Sequence, residues 1–456
     1  MSWADEEFRG VDLGDKRRAN RVIRLVERFA ERPTASIPGA CNGWAETQAA
    51  YRFLSGEDYD WMDILEPHRQ CTRVRMAAHA VTPQREALGV LDAWMWAREP
   101  KAADGTRPGI KESVRWSEGY TRVAELAGEL PETRLVYVAD RESDIRELMV
   151  RASDLGAPAN WLLRSKHNGA LPAGGRLWAK VLASQALGEI RFTRPGGRAR
   201  TAQEVRQELY AQRVTLADGR RGSFAVTCLI AREIGAPPGA KPIEWRLLTN
   251  RCAQTLQEDA QLIDWYRARW EIELLFLVLK EGCRVQALPL ATMQRVERAL
   301  ALFLVVAWRI ARLMRLGRTV PDLDAALLLE PEEWQAAYLL AKKPLPKEPP
   351  RLNTVVRMIA QLGGFLGRKG DGEPGVKTIW LGLPRVMDFA AGIKFAREAH
   401  GLRIVCNGMS RKRLWSVSRN ELTIHCCWPR ISLQLMYRLP GLATSACTSL
   451  LADTPA

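Results

Sequence analysis

Apolar positions recur at helical spacing through the first part of the chain. Through its middle they run at alternating or continuous strand spacing. Residues 15–31, DKRRANRVIRLVERFAE, predict an amphipathic helix with Asp15 as N-cap and Val22, Ile23, Val26, Phe29 and Ala30 on the buried face. Further helices are expected at about 45–55 and 60–78, making a helical domain over 1–78. The pattern then changes. ALGVLDAWMWA (87–97) predicts a strand, residues 117–130 a helix, RLVYVAD (134–140) a short apolar strand, DIRELMVRASDLG a helix, and NWLLRSK (160–166) another strand. Strands alternating with helices signal an α/β sheet. GEIRFTR, VRQELYAQRVTL, FAVTCLIAREI and IEWRLLTN make 167–250 β-rich. The chain is helical again over 256–282 and about 293–316, and at RLNTVVRMIAQLGGFLG beyond a basic, proline-rich linker at 341–351. The tail, 409–456, has poor periodicity, three of the nine cysteines and only two acidic residues, Glu421 and Asp453.

Composition narrows the classes. The 456 residues are 47% apolar and 26% charged, which is globular. Lys and Arg total 67 against 52 acidic residues, a net charge of +15, which points to a polyanionic partner. Lys16, Arg17, Arg18, Arg21 and Arg24 crowd the first half of their helix, against the helix dipole. Phosphate contact and a solvated face both account for that cluster. No cysteine pair has CxxC spacing, the N-terminus lacks an apolar core, and the longest apolar run, Ala299 to Trp308, is too short to span a membrane. We therefore expect a soluble, cytoplasmic protein without zinc cluster, disulfide framework or membrane partner.

Candidate chemistry lies on carboxylates. Asp140 ends a short apolar strand, the edge of an open α/β sheet where catalytic groups collect. A helix N-cap is the competing reading. Over 256–282, Tyr266, Arg269, Glu273 and Lys280 stand at offsets of 0, 3, 7 and 14, within about 60° on one continuous helix. Their neighbours, as in WEIELLFLVLK, predict a largely buried helix whose one polar stripe lines a charged cleft. An ion-pair ladder through Arg269 and Glu273 is the alternative. A strand-end Asp and a helical Glu suit metal-assisted phosphoryl transfer, with Mg²⁺ or Mn²⁺ as the ion. Neither GxGxxG after a strand nor GxxxxGK[ST] occurs, which argues against a dinucleotide-dependent dehydrogenase and a P-loop ATPase.

These residues carry a resemblance. YRARWEIELLFLVLK resembles the Tyr-(2)-Arg-(3)-Glu-(6)-Lys (YREK) signature of cut-and-paste insertion-sequence DDE transposases of the IS-four type. VADRESDI is similar to that family's second-aspartate block, LGDKRRANR with TQAAYRF to its N-terminal DNA-binding domain, and VVRMIAQLGGFLGRK to its C-terminal helical region. The resemblance implies a ribonuclease H-like catalytic core (79–290) with a β-rich insertion, flanked by N-terminal and C-terminal helical domains, the latter at 291–408 and concerned with dimerisation. It implies cleavage and strand transfer at transposon ends by a homodimer on double-stranded DNA, within the bacterial cytoplasm. By motif, Asp140 and Glu273 would be metal-binding catalytic carboxylates. Tyr266, Arg269 and Lys280 would contact end DNA, Trp245 would receive a flipped base, and Arg164 and Lys166 would touch the backbone, with Arg17 and Arg18 in the DNA-binding domain. Trp245 also reads as ordinary strand packing, and Arg164 and Lys166 as surface cations.

The sequence departs from the family at its first aspartate. No D-T-T-like block follows the N-terminal helices, and the first core strand is expected to be missing near 78–82. Asp92 is the nearest carboxylate, and we do not expect it to bind the metals. The consequences expected are an incomplete sheet, weak metal binding and little cleavage, with the tail at 409–456 fitting a decayed element copy. A DNA-binding remnant or inhibitor, a ribonuclease H-like nuclease of another function and a structural protein are the alternatives.

Overall fold

The computed structural model describes residues 2–78, 87–93, 95, 104, 110–194, 203–217 and 223–400. The expected junction at 78–82 lies outside these apart from Ala78, as does the tail at 409–456. The chain divides into two compact units: one combines the chain up to Trp96 with helices from Glu271 onward, the other is built from 97–270.

In the first unit, α1 (Trp3–Glu7) starts with a capping box between Ser2 and Asp5. Helix α2 (Lys16–Glu31) is capped by the Asp15 side chain on Arg17 N at 2.7 Å. It buries Val22, Leu25, Val26, Phe29 and Ala30, so Leu25 takes the place expected for Ile23. Short α3 (Ile37–Ala40) leads to α4 (Trp44–Leu54) and α5 (Trp61–Ala78).

Ala87–Ala93 is not a strand, contrary to its apolar composition. Its backbone bonds to side chains of the helices instead. Val90 N–H donates to His68 Nε2 at 2.9 Å, and the Leu88 and Leu91 carbonyls accept from Arg75 and Arg69 at 2.6 and 2.7 Å. Glu7 accepts from Arg75 at 2.8 and 3.0 Å and from His68 Nδ1 at 2.5 Å. Burial pushes the Glu7 carboxyl up, but His68 and Arg75 outweigh it and hold it at about 2.

The second unit begins with α6 (Glu112–Glu129) and β1 (Val136–Ala139). Helix α7 (Arg146–Asp154) crosses over to β2 (Asn160–Arg164), which pairs parallel with β1. After α8 (Leu177–Leu182) come β3 (Gly188–Arg194), β4 (Gln203–Ala217), β5 (Ser223–Glu233) and β6 (Glu244–Thr249). The β-rich region extends the same sheet, a six-stranded one ordered β1-β2-β6-β5-β4-β3 with every pair beyond β1–β2 antiparallel. Among the described residues β1 is an edge strand, although all four of its residues are buried. Helix α9 (Leu256–Ala268), started by a Thr255–Glu258 capping box, lays Leu262, Ile263 and Tyr266 on Val136, Val138, Leu162, Leu229 and Leu247. On the residues alternating with these, Tyr137 meets Tyr120 of α6 edge-to-face at 6.0 Å.

The expected single helix over 256–282 is interrupted. It ends as α9, turns at Arg269, resumes as α10 (Trp270–Leu277) and finishes in a π turn at Val278–Gly282. A phase of 100° per residue does not carry through a turn and a π turn, so one stripe across all four signature residues does not follow. The expected burial also fails: in α10 only Phe276 is buried, and Trp270 and Leu277 are exposed. The boundary between the units falls here, leaving Tyr266 and Arg269 in one and Glu273 and Lys280 in the other.

Helix α11 (Met293–Thr319) is the axis of the first unit, buried on nearly every side. Phe303 stacks on Phe29 of α2 at 4.6 Å. Its buried Arg298 donates to the Leu54 carbonyl at 2.9 Å and the Tyr59 carbonyl at 2.8 and 3.2 Å. Arg309 grips Glu333 of α12 (Pro331–Leu340) through two bonds of 2.8 Å. Helices α13 (Leu352–Leu362) and α14 (Val376–His400) complete this unit.

Candidate nucleic-acid site

Asp140 follows β1 and precedes a 3₁₀ turn, Arg141–Ser143. Its side chain makes no capping bond; its carbonyl accepts from Ser143 N at 3.0 Å instead. The carboxylate faces the end of the sheet. Oδ1 accepts from the Tyr266 hydroxyl at 3.3 Å and lies 3.7 Å from Arg164 Nη1. Oδ2 has no partner among the described residues. Three residues singled out in sequence, Asp140, Arg164 and Tyr266, therefore meet at the carboxyl ends of β1 and β2.

Trp245 joins them. Half-buried on β6, it lies 6.2 Å from the Tyr266 ring, and Phe192 of β3 stacks on it at 5.4 Å with the planes 20° apart. Strands β5 and β4 lie between β6 and β3 in the ladder, so this contact requires the sheet to curl. The Arg267 guanidinium sits over the Phe192 ring at 4.1 Å. Phe192 and Arg267 lie outside the motifs legible in the sequence; the signal available for Phe192 was an aromatic on the inward positions of an alternating strand. Arg269 is buried at the C-terminus of α9, its guanidinium 5.8 Å from the Tyr266 ring centre.

Lys166 is exposed just past β2, and its backbone N–H and that of His167 donate to buried Asp144 at 2.5 and 2.8 Å. These bonds fix the strand-end turn that carries the lysine. Missed in sequence, Arg246 stacks on the Trp178 ring at 3.9 Å, and Trp178 donates to Ser165 at 3.1 Å. In the first unit, Glu273 is half-buried on α10, while neighbouring Glu271 pairs with Arg315. Lys280 lies in the π turn, 5.9 Å from the Phe276 ring centre. Arg17 is exposed. Arg18 pairs with Asp58, donates to the Leu13 carbonyl at 3.1 Å and covers Tyr59 at 5.3 Å.

Asp140 Oδ2 is the kind of donor a hard divalent ion takes. No group of three or more His, Cys, Asp or Glu that could hold a metal occurs among the described residues. The donor chemistry thus fits such an ion in kind but not in number. No helix among those residues is long and apolar enough to cross a membrane.

Two family models match the chain. Residues 1–59 match the family described as transposase DNA-binding, and residues 305–401 match the transposase Tn5 dimerisation domain. The first covers α1 to α4 and runs on to Tyr59, and the Leu54 and Tyr59 carbonyls within it hold Arg298; the second covers most of α11 and all of α12 to α14. The chain therefore carries two transposase-family domains, one of DNA-binding and one of dimerisation type, separated in sequence by the unit that bears the sheet.

Proposed function

We propose that this chain is a DNA transposase of the YREK type. It would recognise transposon ends as a homodimer and act on them through a ribonuclease H-like core. The observation that carries the reading is the convergence of Tyr266, Arg164 and Asp140, placed by elements up to 126 residues apart in sequence. A structural protein has no need for an uncapped strand-end carboxylate beside a cation, a phenol and a half-exposed tryptophan. By their places in the motifs, Asp140 and Glu273 would each serve as a metal-binding carboxylate, and a bound Mg²⁺ or Mn²⁺ would supply charge stabilisation to phosphoryl transfer. Arg164, Lys166, Arg269 and Lys280 would bind phosphates, Tyr266 would orient Asp140, and Trp245 would stack an extruded base.

One observation favours a second reading, an end-binding protein that does not cut. The buried strand β1 ends the sheet among the described residues, and Ala87–Ala93, which includes Asp92, packs against helices of the other unit instead of extending that sheet. A core short of a strand and a carboxylate would bind DNA and leave it intact. Linear DNA carrying the element's ends, incubated with Mg²⁺ or Mn²⁺, separates the two. Cleavage abolished by Glu273→Ala and Asp140→Ala supports the transposase; shifted, uncut DNA supports the second reading.

A further inference from the structure

Two loops leave the carboxyl edge of the sheet side by side. The β1–β2 ladder ends at Ala139 opposite Leu163, so both loops lie past the last paired residues of these two strands. The first runs from Asp140 through the turn Arg141–Ser143 to α7, and the second from Ser165 to α8. Asp140 stands on one and Lys166 on the other. Ladder bonds fix residues inside a strand pair and not those beyond it, so a second device must set one loop against the other.

Asp144 is that device. It is 7% exposed, and its Oδ2 accepts from the Lys166 and His167 N–H groups at 2.5 and 2.8 Å, across 22 residues of sequence. Charge-assisted bonds of this kind offset the cost of taking a carboxylate out of water. Its own loop is tied back to Asp140. Ser143 N–H donates to the Asp140 carbonyl at 3.0 Å, and Asp144 N–H to that of Arg141 at 3.3 Å. From the other side Trp178 donates through Nε1 to Ser165 Oγ at 3.1 Å and through its N–H to Asn168 Oδ1 at 2.9 Å. Lys166 and His167 thus have pinned backbones and exposed side chains. A solvated lysine gains nothing from a fixed backbone, whereas one that must meet a phosphate beside Asp140 does.

We propose that Asp144 is a positioning residue: by binding the Lys166 and His167 amides it sets the β2 loop against the β1 loop, so that Lys166 and Asp140 address the same stretch of DNA backbone. This deepens the reading of Lys166 as a phosphate contact and rests on it.

The test is a double-mutant cycle on the full chain. Anisotropy of an end-labelled linear duplex carrying the element's ends, measured in EDTA at several salt concentrations, reports binding without cleavage. Lys166→Ala should weaken binding and lower the slope of log affinity against log salt by about 0.9. In the Asp144→Ala background the same change should cost less by about 3-fold or more and leave the slope nearly unaltered. Asp144→Asn removes the charge but keeps an acceptor oxygen, so Lys166→Ala should cost as much there as in the wild type. Asp144→Glu keeps the charge and moves the acceptor by one methylene; it should also reduce the cost, and it carries the test if Asp144→Ala does not fold. Arg17→Ala, in the DNA-binding domain, should cost the same in every background. An unchanged Lys166→Ala cost in Asp144→Ala and Asp144→Glu would overturn the proposal. So would Asp144→Asn behaving as Asp144→Ala, or an Arg17→Ala cost that moves with it. A Lys166→Ala variant that binds like the wild type would instead overturn the reading of Lys166 itself, so the two failures are distinguishable.

Discussion

The Tyr266 hydroxyl donates to Asp140 Oδ1 at 3.3 Å, joining a helix to a strand end 126 residues earlier. Tyr266 is otherwise a core residue, 6% exposed among Val136, Val138 and Ile263, so its ring is fixed before its hydroxyl is used. A rigid phenol sets the orientation of the carboxylate while leaving Oδ2 to other partners.

Removing only that hydroxyl separates the two roles. Tyr266→Phe should cost about 1 kcal/mol, as for one long hydrogen bond, whereas Tyr266→Ala should cost about 3–5 kcal/mol through the cavity it leaves. Urea unfolding of the two variants measures the difference. Equal losses would show that the hydroxyl, not the ring, carries the stability.

What was legible in sequence follows from how local each signal is. Asp15 as a cap and the β1 strand ending at Asp140 were readable because capping and strand patterning act over a few residues. The break at Arg269 was not, since neither Pro nor Gly marks it and the dihedrals there stay helical (φ −48°, ψ −31°). Ala87–Ala93 reads as a strand by composition, but its partners are the side chains of His68, Arg69 and Arg75 on α5. No pattern within the segment itself announces that. The Phe192–Trp245 contact depends on the curl of a whole sheet and could not be seen from either strand alone.

Helices α13 and α14 touch backbone to backbone. A Cβ at Gly382 would come 1.8 Å from the Ile359 carbonyl oxygen, and one at Gly363 would come 1.9 Å from that of Thr378. Backbone cannot give way as a flexible side chain can, so Gly382→Ala should cost about 3 kcal/mol or more. Gly392→Ala on the same helix meets nothing within 4 Å and should be neutral or stabilising by up to about 1 kcal/mol. Denaturant unfolding and sedimentation of both variants test this. The first should lose stability and, with it, any self-association.

Asp259 on α9 is fully buried, and neither carboxylate oxygen has a partner among the described residues. Burial, with Glu258 next to it, pushes its pKa from 3.8 up to about 7. The folded form therefore keeps a proton that the unfolded chain releases near 4. Stability is fully present below that point, falls as pH rises toward 7, and is level above it, the loss reaching on the order of 4 kcal/mol at most. Asp259→Asn should flatten this slope in urea titrations between pH 4 and pH 8. An unchanged slope would mean that the carboxyl finds water or a partner when charged.

Arg17 and Arg18 are neighbours in sequence with different surroundings. Arg18 is held by Asp58, the Leu13 carbonyl and the Tyr59 ring, while Arg17 is exposed and has no side-chain partner among the described residues. A cation already bonded within the fold gains less from a phosphate than one standing in water beside Lys16 and Arg24, both also exposed. Arg17→Ala should weaken DNA binding and reduce the slope of log affinity against log salt by about 0.9, the release of one counterion. Arg18→Ala should lower the unfolding midpoint and leave that slope nearly unchanged, because its main loss is contact with Asp58 and Tyr59. Anisotropy titrations at several salt concentrations, paired with thermal unfolding, measure both quantities. A salt slope that falls with Arg18→Ala and not with Arg17→Ala would place the phosphate contact on the other side of the helix.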